Sequence, residues 1–293
     1  MNHHETISRK IFLLVNGALL CLIGFCCFAP MWHVVCCSVS DPSILMREQG
    51  FLLWPKGQLD LSGYQVILNH KNIWTGYMNT LIYVAVGVVL NLVMTTVAAY
   101  VLSRKRFVLR NQIMLFLSFT MIFNGGMIPN YLLILKLGLL DSRWAVILPN
   151  AFSVFNLVIM RTSFLEIPEA LDESARLEGA NDLQVLVRII LPVSKATLAV
   201  IALFVSVFIW NSWFQASIYL SNRDKWPLQL FLQEILISNS QRSIETGVKA
   251  SVISQQTLIK YCTIVVATLP ILCLYPFLQK YFVKGMMIGS IKG

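Results

Sequence analysis

Residues 172–192 read DESARLEGANDLQVLVRIILP and form an acidic stretch in a basic, apolar chain. The chain has 293 residues, of which 57% are hydrophobic and 13% charged, and its formal net charge is +9. Six of its 14 acidic residues nevertheless fall between positions 166 and 182. This local excess of carboxylates indicates that the stretch meets something other than anionic lipid.

The same stretch predicts two short helices joined by a glycine turn. Pro168 favours a helix that begins at the next residue, and Gly179 can adopt the left-handed conformation that ends it. Asn181 or Asp182 can then cap a second helix, which Pro192 follows. Apolar residues recur at helical spacing along this second helix, at Leu183, Leu186, Val187 and Ile190.

Long uncharged runs flank this stretch on both sides. A bilayer core about 30 Å thick needs roughly 20 apolar residues in a helix, and six runs approach or exceed that length. We therefore predict an all-α integral membrane protein with six transmembrane helices, forming a single transmembrane domain over residues 1–293. The first run is too long for a cleavable signal peptide, so none is expected. The spans are predicted at approximately 11–38, 74–103, 111–135, 143–162, 194–219 and 259–280.

The distribution of Lys and Arg predicts the orientation in the membrane. The tight SRKRF connection at 103–107 is the strongest indication, and it lies on the same side as both termini. Both termini are therefore predicted to be cytoplasmic, which places 164–192 in a cytoplasmic loop and 220–258 in an external loop. Basic residues beside the spans are expected to contact anionic membrane lipid, so no nucleic-acid partner is predicted.

The first helix of the cytoplasmic loop carries Glu173 and Arg176 beside the small residues Ser174 and Ala175. An interfacial membrane helix is usually basic, and a DNA-binding helix needs positive charge, so an acidic helix fits neither. Small side chains let a partner surface approach closely, while the charges can fix its register. We predict that this helix docks into a basic cleft of another protein.

The spacing Glu-x-Ala-x-x-x-Gly, followed after nine residues by Ile-x-Leu-Pro, resembles the EAA loop of permease subunits from bacterial ATP-binding-cassette importers. One departure is Ser174, where the family usually has alanine. The runs IPNYLLILKLGLLDSRWAVILPN and YFVKGMMIGSIKG are similar to the carbohydrate-importer branch, including the second permeases of maltose systems and the polysaccharide and lipoprotein-type subgroup. Permeases of alginate-oligosaccharide importers are one candidate within it. The matching loop positions are Glu173, Ala175, Gly179, Ile189, Leu191 and Pro192.

The resemblance implies the type I importer permease fold in a bacterial cytoplasmic (inner) membrane. It also implies a second homologous permease, two ATP-binding subunits and an extracytoplasmic solute-binding protein as partners. The chain contains no phosphate-binding loop of the Gly-x4-Gly-Lys-Ser/Thr type, so it is not expected to be an enzyme or to hold a cofactor. ATP and Mg are expected on the partner ATPase. The residues predicted to couple to that ATPase are Glu173, Ser174, Ala175, Arg176, Gly179, Ile189, Leu191 and Pro192.

Polar and aromatic residues in or near the spans predict a substrate path. Sugars stack on aromatic rings and bond to amides, and amides within spans are often functional. The asparagines can also bond between helices, and the tryptophans can belong to an interfacial belt. The candidates are Asn124, Asn150, Asn156, Trp210, Asn211 and Trp213. For contact with the binding protein, the candidates are Ser238, Asn239, Ser240, Gln241 and Glu245.

Other classes of protein are less consistent with the sequence. The seven cysteines form no CxxC pair and the four histidines no helical cluster with carboxylates, so no metal site is predicted. A proton-coupled carrier would place ionisable residues within the spans, and a membrane enzyme would cluster catalytic groups there. An importer for amino acids, peptides or another non-sugar solute shares the same loop and remains the alternative.

Overall fold

The computed structural model describes residues 7–47, 50–242 and 254–273. Over these residues the chain contains helices and no strand, which agrees with the all-α prediction. Short 3-10 turns lie at Leu148–Asn150 and Arg223–Lys225, and a π-helical turn lies at Leu186–Ile190. The α-helices are α1 Ile7–Ser38, α2 Pro42–Arg47, α3 Ser62–Leu68, α4 Lys71–Ser103, α5 Arg110–Ile122, α6 Met127–Lys136, α7 Trp144–Ile147, α8 Val154–Leu165, α9 Glu169–Leu177, α10 Asp182–Val185, α11 Leu191–Val193, α12 Lys195–Trp210, α13 Phe214–Tyr219, α14 Leu228–Arg242 and α15 Ser254–Cys273.

The described residues divide into two units, one within 7–70 and 234–268 and the other within 71–233 and 269–273. In the first unit, Cys36 and Cys37 are buried with Leu52 at the end of α1. The Cys262 thiol of α15 donates to the Ser38 carbonyl oxygen at 3.2 Å. Cys36, Cys37 and Cys262 are thus buried and contribute to the packing of this unit.

Helix α4 lies at the centre of the second unit and packs against α8 and α12. A Cβ atom placed on Gly87 would lie 2.4 Å from Cδ1 of Ile209, so glycine permits the close approach of α12. Tyr83, Leu157 and Ile201 are buried in the core between these helices. Because lipid offers no hydrophobic driving force between helices, such close van der Waals packing and interhelical hydrogen bonds hold the unit together.

Within the part of the chain that the structure describes, three helices are individually long and apolar enough to cross a membrane, namely α1, α4 and α15. Three further spans exist if each pair of bent helices counts as one, and the bends measure 112°, 44° and 83°. Six spans therefore remain a prediction, consistent with this range. The termini, predicted to be cytoplasmic, lie outside the described residues.

The bends lie within or at the edge of three of the predicted spans, and they change the bounds of the helices there. The span predicted at 111–135 is broken between α5 and α6, where Gly126 adopts φ 88° and ψ −179°, a conformation that side chains disfavour. The span predicted at 143–162 is interrupted after Leu148–Asn150, a turn that contains Pro149. The span predicted at 194–219 ends at Trp210, and α13 is a separate helix. The last span begins at Ser254, earlier than predicted, and its positions 274–280 lie outside the described residues.

Candidate functional site

The predicted glycine turn is present between α9 and α10. Gly179 has φ 83°, in the left-handed region that favours glycine. Its N–H donates to the Arg176 carbonyl oxygen at 3.0 Å, and the Ala180 N–H donates to the Ala175 carbonyl oxygen at 2.9 Å. This pair of bonds is a Schellman motif, which satisfies the last carbonyl groups of α9.

Asn181 caps the second helix, as one of the two predicted alternatives. Its Oδ1 accepts from the Gln184 backbone N–H at 2.8 Å, and Gln184 Oε1 accepts from the Asn181 N–H at 2.9 Å. This reciprocal capping box fixes the start of α10 directly after the glycine turn. The two short helices of the loop are therefore held at a defined junction.

The predicted apolar stripe of the second helix is wrong at two positions. Leu183 and Val187 are 68% and 52% exposed, whereas Val185 and Ile190 are buried. The cause is the π-helical turn at Leu186–Ile190, in which hydrogen bonds join residues five apart. Positions five apart then share a face, so a spacing of three and four no longer describes the buried side.

The predicted coupling residues differ in exposure. Glu173 and Ser174 lie on the exposed face of α9, whereas Ala175 is 8% exposed and packs in the core of the second unit. Small size at Ala175 thus serves packing within the chain, which differs from the expectation that both small residues face a partner. Ile189 and Leu191 pack against the same core, and Pro192 is exposed at the start of α11, before the 83° bend.

Half of the acidic residues in this loop pair with cations of the same chain. Arg104 lies 3.5 Å from Asp172, whose other neighbour is Arg176 at 3.2 Å. Asp182 accepts from Arg176 at 2.6 Å and from Arg106. The two carboxylates raise the pKa of Arg176, Asp182 having the larger effect. These carboxylates are therefore neutralised internally, and the prediction that the whole acidic stretch addresses a partner is corrected.

The basic partners come from the SRKRF connection at 103–107, which the sequence analysis used only to orient the chain. Lys105 also pairs with Glu169, at 2.8 Å. Glu166, Glu173 and Glu178 are exposed and form no ion pair among the described residues. Of these three, Glu173 lies on α9 and Glu178 directly follows it, so these two are available on the helix predicted to dock, whereas Glu166 lies before it.

A cavity of about 450 Å³ lies between α4, α8 and α12. It brings together the predicted residues Asn150 and Asn156 with Asn91, which the sequence analysis missed. Asn91 donates to the Asn150 carbonyl oxygen at 3.0 Å and accepts from Asn156 Nδ2 at 3.3 Å. The sequence did contain a signal for Asn91, because it is an uncharged amide inside the second predicted span. The lining residues are Asn91, Pro149, Asn150, Phe152, Ser153, Phe155, Asn156, Phe204, Val205 and Phe208.

A second, open groove of about 390 Å³ adjoins the cavity and shares Phe208 with it. It is lined in part by two predicted residues, Asn211 and Trp213. The Gln215 side chain of the groove accepts from Asn150 Nδ2 at 2.8 Å, so one hydrogen bond connects the two spaces. Together they offer amide groups and aromatic rings along one path.

Two other predicted residues lie away from this path. Asn124 is exposed in the break between α5 and α6, where its Oδ1 accepts from the Gly126 N–H at 2.9 Å. Trp210 is only 4% exposed and its ring centroid lies 6.1 Å from that of Tyr77. The Trp210 ring is therefore buried against the protein in this conformation, and its role in a substrate path stays a prediction.

The predicted contacts with a binding protein fall largely outside the described residues. Ser238, Asn239, Ser240 and Gln241 belong to the end of α14, where the side chains are not described. Glu245 lies outside the described ranges altogether. Apolar residues recur at helical spacing between positions 228 and 235, and α14 covers this stretch from Leu228 to Arg242.

Most of the chain is similar in sequence to known transport proteins. Residues 91–288 match the family model described as "Binding-protein-dependent transport system inner membrane component". The polygalacturonan/rhamnogalacturonan transport system permease protein YtcP of Bacillus subtilis (strain 168) is 38% identical over 288 residues, covering 98% of this chain and 99% of that protein. Protein LplC of the same organism is 36% identical over 290 residues, covering 99% and 98%.

A solved structure also matches the whole fold. It is a chain in the crystal structure of a bacterial ABC transporter involved in the import of the acidic polysaccharide alginate. That chain is 32% identical, with a TM-score of 0.82, and the match covers 96% of this chain and 100% of that one. The fold of this chain is thus similar to that of a chain in an ABC transporter.

Proposed function

The chain belongs to the family of binding-protein-dependent transport system inner membrane components, and we propose that it is the permease subunit of an ATP-driven saccharide importer in a bacterial cytoplasmic membrane. Its relative YtcP is named for polygalacturonan and rhamnogalacturonan, and its structural neighbour belongs to an alginate importer. Both similarities extend over nearly the whole chain. They support an oligosaccharide, and an acidic one, as the solute.

The observation that carries the proposal is the amide-lined cavity of the second unit. Asn91, Asn150 and Asn156 converge there, with phenylalanine rings from α8 and α12. Amides can both donate to and accept from sugar hydroxyls, and apolar ring faces suit the C–H faces of a pyranose. No charged side chain is among the lining residues that the structure describes. The proposed site would therefore hold uronate carboxylates through neutral hydrogen-bond donors.

The loop 164–192 is proposed to couple transport to a separate ATPase. Glu173 and Glu178 are exposed carboxylates that form no ion pair within the described part of the chain, and Ser174 lies beside them as a small exposed residue. A basic cleft could pair with these acids while the small side chain permits close contact. Closure of two ATP-binding subunits would then move the permease between inward-open and outward-open states.

The remaining partners follow from the same proposal. A homologous second permease would complete the transport path, because the cavity and groove of this chain are open to their surroundings. An extracytoplasmic solute-binding protein would deliver the saccharide to the external segment 220–258. ATP and Mg would be bound by the ATPase subunits, and residues 1–293 would act as a single permease domain.

The proposal is tested by ATP hydrolysis and uptake in the assembled complex. The complex and its binding protein would be reconstituted in vesicles with neutral oligosaccharides, uronic-acid oligosaccharides, amino acids and peptides. We expect uronic-acid oligosaccharides to stimulate ATP hydrolysis and to be imported. Stimulation by amino acids or peptides alone would contradict the saccharide proposal and favour the alternative, a non-sugar importer.

A pair of asparagine variants tests the cavity itself. Asn156→Ala removes an amide that lines the cavity, whereas Asn124→Ala removes an exposed amide from the break between α5 and α6. Losing one or two neutral hydrogen bonds of about 1 kcal/mol each should raise the apparent KM for uptake roughly tenfold in Asn156→Ala. The Asn124→Ala control should keep the wild-type KM, and equal effects would argue against the cavity.

A further inference from the structure

Polar contacts hold the outer end of α4 to the segment 224–228. Asn79 Nδ2 donates to the backbone carbonyl oxygens of residues 224 and 226, at 2.7 and 3.0 Å. The Tyr83 hydroxyl donates to the carbonyl oxygen of residue 225 at 2.6 Å, and Thr80 Oγ1 accepts from the N–H of residue 228 at 2.8 Å. All three side chains are buried, so breaking these bonds would leave unsatisfied polar groups.

The backbone of α14 also approaches this end of α4 closely. A Cβ atom on Gly76 would lie 3.0 Å from the Leu228 Cα and 2.9 Å from the Phe231 ring. Backbone atoms cannot move aside as the end of a flexible side chain can. The start of α14 is therefore seated on α4 by shape as well as by hydrogen bonds.

The inner end of α4 is held to the coupling loop in a comparable way. The Tyr100 hydroxyl lies 3.3 Å from Asp182 Oδ1, and the Arg104 guanidinium stacks over the Tyr100 ring at 4.4 Å. Arg104 extends the contact to Asp172 of α9. Tyr100 and Arg104 thus join α4 to both helices of the loop, across about 70 to 80 residues of sequence.

The Arg104 contact contains unused hydrogen-bonding groups. Arg104 Nη1 lies 3.5 Å from Asp172 Oδ2, which is long for a hydrogen bond, and the side chains are only 14% and 17% exposed. Arg104 Nε and Nη2 and Asp172 Oδ1 are buried without a hydrogen-bond partner among the described residues. A small shift would convert this contact into a bidentate pair, so the contact has a second and more favourable arrangement within reach.

Between these two ends, α4 lines the proposed substrate cavity through Asn91. The helix has 33 residues, which corresponds to about 50 Å at 1.5 Å per residue. One continuous helix therefore contacts the external segment, the cavity and the coupling loop. At its outer end, where buried hydrogen bonds and close packing fix the contacts, α4 moves with the external segment as one body, whereas the looser Arg104–Asp172 contact at its inner end can adjust.

We infer that α4 transmits movement between the external segment 224–228 and the coupling loop, and that Arg104 is the positioning residue at its inner end. The Arg104–Asp172 contact tightens when the loop is displaced, and Tyr83 carries the displacement to the external segment. This inference rests on the proposed function in one respect: the loop is taken to dock on an ATPase.

The test compares Arg104→Gln with Lys105→Gln in the complete complex. Both variants remove one positive charge from the same connection, but Lys105 is 71% exposed and, among the described residues, pairs with Glu169 alone. For Arg104→Gln we expect the ratio of ATP hydrolysed to solute imported to rise about tenfold, because Asp172 keeps Arg176 but loses its charged contact with the end of α4. Lys105→Gln should stay within about twofold of wild type, as is usual for an exposed ion pair. Arg104→Lys, which keeps the charge, should restore part of the coupling.

A local measurement tests the outer end without depending on transport. Amide hydrogen exchange at residues 224–228 should change on trapping the complex with ATP and vanadate in the wild type and in Lys105→Gln. We expect that change to be lost in Arg104→Gln and in Tyr83→Phe, which removes a single hydroxyl.

Three outcomes would overturn the inference. One is a ratio in Arg104→Gln equal to that in Lys105→Gln, and another is an unaltered exchange response in both test variants. The third is a parallel loss of assembly, hydrolysis and import, which would make Arg104 merely structural. If no saccharide stimulates ATP hydrolysis by the wild-type complex, the proposed function fails. The ratio of ATP hydrolysed to solute imported and the exchange response can still be measured with whichever solute stimulates hydrolysis, so the inference is tested separately.

Discussion

Replacing Gly179 with alanine tests whether the turn between α9 and α10 matters for coupling or only for local stability. The chain provides a matched control in Gly138, at the end of α6. Gly138 has φ 66°, and its own N–H and that of the next residue bond back to the carbonyl oxygens of residues 135 and 134. Both glycines therefore occupy the same position of the same Schellman motif.

The magnitude follows from the backbone alone. A Cβ atom at either glycine would meet nothing within 4 Å, so alanine adds no clash and only the left-handed strain remains. That strain costs about 1–2 kcal/mol for a residue with a side chain, which corresponds to a shift of roughly tenfold in the population of the turn. The loss of stability should thus be equal in Gly179→Ala and Gly138→Ala.

Measurements of transport should distinguish Gly179→Ala from Gly138→Ala. Thermal unfolding of the purified complex should show the same small decrease in Tm for both, while uptake and the ratio of ATP hydrolysed to solute imported report on coupling. We expect Gly179→Ala to lose coupling about tenfold and Gly138→Ala to keep it, because only the first turn orients the exposed face of α9. Equal coupling in the two variants would refute the argument that this turn positions a docking surface.

Two other predictions use single substitutions. Glu173→Lys should leave insertion and Tm unchanged, because Glu173 has no ion pair among the described residues, but should reduce coupled uptake by roughly an order of magnitude. Glu166→Lys, a change of an exposed acid outside α9, is the control. Undiminished uptake by Glu173→Lys in vesicles would contradict the docking proposal. Asn91→Leu should lower both Tm and saccharide uptake, since the bonds to Asn150 and Asn156 are lost in a buried site. A change in Tm without a change in the KM for uptake would show that Asn91 is only a structural link between helices.

Local features of the coupling loop could be predicted well from sequence. The start of α9 at Glu169, the left-handed Gly179 and the Asn181 cap each depend on a few neighbouring residues, and all three are confirmed. Exposure of the second helix was predicted less well, since a π-helical turn changes which residues share a face. Nothing in a hydrophobic period of three and four residues signals such a turn.

The proposed substrate cavity was likewise predictable from the sequence only in part. Asn150 and Asn156 were predicted as candidates, and the structure brings them together with Asn91. Trp210 was an equally good candidate by type, yet its ring packs against the protein. Whether a polar or aromatic residue in a span faces a cavity or a neighbouring helix depends on the rotation of that helix, which packing sets.

By itself, the sequence determined that the chain is helical and apolar enough to enter a membrane, and that it carries an acidic helix, glycine turn and helix. These properties follow from composition and from interactions between near neighbours. Only the tertiary structure decided which acids are available to a partner. Asp172 and Asp182 are neutralised by Arg104 and Arg106, whereas Glu173 is not, because charge pairing depends on distance in space and these partners lie some 70 residues apart in the chain.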